Sequence, residues 1–133
     1  MRPRALGHPV FAVALAGFGV LGLRAGDFAY VWQPVPTWVV GRSVLAYASS
    51  VLLLACSAGL LWPRAVARSS FVLMLCGAIS MLLLHAPRIA RDPLNVIEWF
   101  NLGEISTIVA GAWILFAGGC SLPHEPAAAC AEA

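Results

Sequence analysis

Residues 42–64 read RSVLAYASSVLLLACSAGLLWPR: an arginine, 21 residues without formal charge, and a second arginine. A bilayer's hydrocarbon core is about 30 Å thick and an α-helix rises about 1.5 Å per residue, so about 20 uncharged, mostly apolar residues make one crossing. The same spacing recurs on either side of this stretch. There are 19 uncharged residues between Arg4 and Arg24, 19 between Arg68 and Arg88, and 20 between Glu104 and Glu125. A water-soluble helical bundle would carry charge every few residues on its outer faces. Four uncharged runs of spanning length instead predict an all-α polytopic membrane protein, a bundle of four transmembrane helices.

Composition agrees. Charged residues are 11% of the 133, against about 25% in a typical globular chain, and hydrophobic residues are 61%. The length allows a single domain. We place a transmembrane domain at 1–120, with helices near 5–24, 42–62, 68–86 and 93–119, and a disordered, proline- and alanine-containing tail at 121–133. The chain has no lysine, and its arginines are scattered singly, which excludes a nucleic-acid patch. The partner this composition requires is the lipid bilayer.

The first run could serve as a secretory leader. Leu23 and Arg24 stand where cleavage needs small residues, so the expectation is an uncleaved first helix. Gly17, Gly19 and Gly22 spell G-x-G-x-x-G, but the dinucleotide-binding turn needs a strand before it and a helix start after it. Inside an apolar helix these small residues predict close helix packing.

The short connection from Trp62 to Arg68 makes helices two and three an antiparallel hairpin and puts both chain ends on its face of the membrane. The first loop, from Arg24 to Gly41, and the third, from His85 to about Glu98, share the opposite face. Arginines divide equally between the faces, while Asp27, Asp92 and Glu98 accompany the second set. The expected location is a bacterial inner membrane with termini in the cytoplasm. Tyr30, Trp32 and Trp38, interleaved with Pro34 and Pro36, predict an interfacial loop, because amphipathic rings suit the headgroup zone and proline resists helix there.

The segment Asp27-Phe28-Ala29, then Val31-Trp32-Gln33-Pro34-Val35-Pro36, with Arg42 opening helix two and Leu84-His85-Ala86-Pro87-Arg88 closing helix three, resembles the DoxX-like family of small four-helix membrane proteins. That resemblance implies the four-helix fold over nearly the whole chain up to its tail. It also implies an accessory subunit of a membrane redox complex, with quinone as the candidate cofactor and a membrane oxidoreductase as the candidate partner. The family is functionally mixed and provides no catalytic motif to carry onto positions of this sequence.

The residues themselves propose a site. With Asp92 as cap and Pro93 in the first turn, helix four would carry Glu104 about three turns in. Asn101, Glu104, Thr107 and Gly111 recur at helical spacing, which predicts that Glu104 points inward. Its expected neighbours are Arg42, His85 and Arg88, with Asp27 and Gln33 in the loop. Two readings of this polar mouth stand. One is ion pairs and hydrogen bonds that fix helix register. The other is a pocket for a polar headgroup, quinone or substrate, with His85 and Glu104 handling protons.

Cys56 and Cys76 could stand at similar depth across the hairpin, but without a C-x-x-C spacing the expectation is inert packing. Cys120 and Cys130 flank the tail and are candidates for acylation by position alone. His8 and His124 lie on the face opposite His85, and the cysteine and histidine spacings are too wide for zinc, so no metal or haem site is expected. No nucleophile with a positioned base can be read, which leaves two function classes. The first is the redox accessory subunit. The second is a homo-oligomeric protein that binds or transports lipid or a small hydrophobic molecule.

Overall fold

The computed structural model describes residues 7–28 and 33–120, and every regular element in them is helical. Helix α1 is Gly7–Ala25 and α2 is Arg42–Leu61. A third span, Val66–Arg91, is built from α3 (Val66–Ser80), a π turn (Met81–His85) and α4 (Ala86–Arg91). Helix α5 is Val96–Cys120. All four spans are long and apolar enough to cross a membrane, which makes the chain an integral multi-pass membrane protein.

The spans run up and down, with α1 packed on α2, α2 on α3, and α3 on α5. Ala12 and Leu15 of α1, Leu53, Cys56 and Leu60 of α2, Leu73 of α3 and Ala112 of α5 form the core. Leu21, Val51, Leu82 and Ile114 face outward, as side chains bathed in lipid would. The G-x-G-x-x-G string does what small residues do in lipid at two of its three positions. A Cβ on Gly19 would lie 2.7 Å from Leu54 Cγ, and one on Gly22 would collide with Ser50 Oγ, while Gly17 faces open space. A hydrogen bond ties the same pair: Ser57 Oγ–H donates to the Ala12 carbonyl at 2.6 Å, both residues being buried. Cys56 and Cys76 are free thiols, Cys56 within the core.

Two boundaries differ from expectation by several residues. The third span does not end at Ala86-Pro87. Proline has no N–H and crowds the carbonyl four residues back, and here the helix widens by one residue just before it. Ala86 N–H donates five residues back to Met81 O, and the chain stays helical to Arg91. The third connection therefore shrinks to the turn from Asp92 to Asn95. Helix α5 starts at Val96 rather than Pro93, and its cap is Asn95 rather than Asp92: Ile97 N–H donates to Asn95 Oδ1 at 3.1 Å. Pro93 instead sits in the turn, its carbonyl accepting from Trp99 Nε1 at 2.9 Å.

Candidate functional site

The polar residues expected at one mouth lie at the non-terminal ends of the spans in two separate groups, one on each of two helix pairs. In the first, Gly26 ends α1 with φ 63, a left-handed turn that glycine adopts at little cost, and its N–H donates to Gly22 O. Asp27 follows, and its Oδ1 accepts from Phe28 N–H at 2.7 Å and from Arg42 Nη2 at 3.0 Å. Arg42 reaches it from the first residue of α2. Half of the Asp27 side chain is exposed, so this pair lies at the surface and is weak. Gln33 Oε1 accepts from Ser49 Oγ at 3.4 Å, and Pro34 beside it is buried, which anchors the end of the loop on α2.

Between these groups and the helices lies a cleft of about 210 Å³. Phe18, Leu21, Phe28 and Leu53 give it apolar walls, and Asp27, Gln33, Ser49 and Ser50 give it polar atoms. Drug-sized ligands occupy about 300–1,000 Å³. This space therefore suits a headgroup or a short length of chain rather than a whole large ligand.

The second group joins the third span to α5. Arg88 donates twice to one oxygen of Glu98, from Nε at 3.1 Å and from Nη2 at 2.8 Å. The Glu98 side chain keeps only 11% of its surface, and its Oε2 is buried with no hydrogen-bond partner among the described residues. His85, at the end of the π turn, is fully buried, and Asn101 is buried one turn beyond Glu98. A π turn re-aims the side chains around it, and such turns recur at functional sites.

Glu104 belongs to neither group. The buried stripe of α5 runs through Glu98, Asn101, Ile105 and Ala112, alternating steps of three, four and seven. Glu104 falls off that stripe and is exposed. The expectation failed because it took the spacing of polar residues as the guide to the inward face, whereas Ile105 and Ala112 set it. Arg42 likewise meets a loop aspartate rather than an interior acid. Trp38 is 80% exposed, in keeping with an interfacial ring, while Tyr30 and Trp32 lie outside the described residues, as do Cys130, His124 and the tail.

Glu98, Ser49 and Ser50 were missed as site residues. Ser49 and Ser50 stand side by side in the apolar α2 run, a signal in itself, and Glu98 is an acid ten residues past Arg88. The Glu98 pairing with Arg88 does not show without knowing that the third span continues to Arg91. Among the described residues no three histidine, cysteine, aspartate or glutamate side chains gather closely enough to hold a metal ion. Comparison with known proteins found no matching family model, no matching curated protein and no matching solved structure.

Proposed function

We propose that this protein is a non-catalytic binding subunit that holds the polar end of a membrane amphiphile in the α1–α2 cleft, as an accessory to a membrane redox complex. The observation that carries the reading is the cleft itself: apolar walls from Phe18, Leu21 and Leu53, with the Ser49, Ser50 and Gln33 polar groups at one place. A quinone headgroup needs a donor for a carbonyl oxygen and a greasy path for its tail; the Gln33 amide supplies the donor, while Ser49 and Ser50, which donate to the Ala46 carbonyl at 3.0 and 2.8 Å, would have to turn to reach the ligand. The DoxX-like character of residues 27–36, quoted above, supports the redox side of the reading and a membrane oxidoreductase as partner. With the arginines evenly divided, the acids gathered on the non-terminal face favour termini in the cytoplasm, and the DoxX-like character favours a bacterial inner membrane.

A second reading shares the cleft: a homo-oligomer that binds lipid. The two part on what is retained. Gentle extraction from native membranes, followed by mass spectrometry of bound small molecules, should find quinone in the parent protein. It should find much less in a Ser49→Phe variant that fills the cleft mouth. Phospholipid alone in the parent, or quinone retained equally by both, would reject the quinone assignment.

A further inference from the structure

We propose that the outer face of α5 around Gly103, Glu104 and Thr107 is a docking surface for a transmembrane helix of a different protein, one carrying a basic residue at the depth of Glu104. Glu104 lies eight residues into a 25-residue helix. At about 1.5 Å per residue the helix exceeds an about 30 Å core by a few ångströms at each end, which leaves Glu104 about 8 Å inside the hydrocarbon. Its side chain is exposed, and its carboxylate makes no hydrogen bond or ion pair with any described residue; only its backbone carbonyl is engaged, by Thr107 Oγ1 at 2.7 Å. Ionisable side chains at such depth face protein or water and pair with a complement. Glu104 faces outward, so the complement comes from outside this subunit.

The surroundings fit an approaching helix. Gly103 has nothing within 4 Å of where a Cβ would stand, and Thr107 lies one turn on. Small residues in this arrangement let two backbones come together in lipid. Toward the other end of the same flank, α5 meets α1 at Gly111, whose Cβ position lies 3.0 Å from the Phe11 ring, so an incoming helix would rest in the groove between α1 and α5.

Among the described residues, a second copy of this chain offers no free basic side chain at the depth of Glu104. The sequence has no lysine, and its arginines stand at span ends. Arg24 and Arg42 are in a last and a first turn, Arg88 is held by Glu98, and Arg91 ends the third span. His85, the histidine toward that side, is fully buried. The partner therefore supplies an arginine, lysine or histidine at the depth of Glu104, where none of the described residues of this chain offers one.

This inference deepens the accessory-subunit reading and rests on it. Its failure is separable, because ligand retention in the α1–α2 cleft does not involve Glu104. The test places a photo-crosslinking amino acid at Gly103 in the full chain, expressed in its native membrane, with the same probe at Val51 on the outer face of α2 as control. The expected result is a crosslink from position 103, absent from 51, to a peptide of another membrane protein whose spanning segment contains a basic residue. Glu104→Gln should lower its yield at least about 30-fold, the scale for removing one member of a desolvated charge pair, while Glu104→Asp keeps most of it. A crosslink to a second copy, to lipid alone or to a helix without a basic residue would overturn the proposal. So would a yield that Glu104→Gln and Thr107→Trp both leave unchanged.

Discussion

The two helix pairs place an arginine against a carboxylate at the same end of the membrane, yet by opposite means. On the α1–α2 side the helices themselves are joined by contact and by a hydroxyl, with Gly19 and Gly22 against Leu54 and Ser50 and Ser57 bonded to Ala12. Their ion pair, Asp27–Arg42, hangs in the loop with half the acid exposed. Between the third span and α5 the charges lie within the packing, and Glu98 is almost wholly covered. Equal geometry thus carries unequal consequence. Near water a broken pair is resolvated, whereas in a covered site the survivor keeps its charge without a partner.

The largest test of this contrast is Arg88→Leu. It leaves Glu98 buried without its cation, and should cost about 3 kcal/mol, the lower end for breaking a buried pair because a quarter of Arg88 remains exposed. Reversible unfolding in mixed micelles reads that loss, and a value below about 1 kcal/mol would place this pair with the surface kind. Gly22→Val should come next. The added side chain meets Ser50 and forces α1 off α2 at about 1–3 kcal/mol, the range for overpacking. The same assay checks it, and a neutral outcome would mean that the two helices slide freely. Smallest should be Asp27→Asn, below about 1 kcal/mol and fading further in high salt. A loss as large as that of Arg88→Leu would erase the distinction between the two pairs.

Legibility in the sequence followed the strength of the physical penalty. Charge inside hydrocarbon is so costly that the gaps between Arg4 and Arg24, or Arg42 and Arg64, mark the spans by themselves. Helix α2, expected at 42–62, is Arg42–Leu61. Packing by Gly19 and Gly22 was readable for the same reason, since an apolar helix offers the dinucleotide motif no strand. The Asp27, Gln33 and Arg42 neighbourhood was readable too, because both ends of one loop must lie on one face. What failed was rotation about a helix axis. In lipid the outward face is as apolar as the inward one, so α5 shows no amphipathic stripe, and its few polar residues misled the assignment of Glu104. The end of the third span and the start of α5 failed because Pro87 reads as a helix stop and Pro93, behind Asp92, as a first-turn proline, and nothing local records that Pro87 is tolerated while Asn95 caps.

The π turn that admits Pro87 has a further consequence for how this segment can vary. The buried positions Val66, Ala67, Ser70, Leu73 and Gly77 keep one phase, and two regular turns beyond Gly77 would bring Leu84 inward. The widened turn delays that phase by one residue, so the buried position is His85. A chain shortened by one residue between Met81 and His85 would still present a spanning length of the same hydropathy. The histidine would then stand seven residues past Gly77, the inward position of a regular helix, so the shortened chain would lose the π turn and keep Arg88 in phase with Glu98. A single insertion here would instead rotate every following side chain by about 100° and carry Arg88 away from Glu98, so this stretch should tolerate losing one residue better than gaining one.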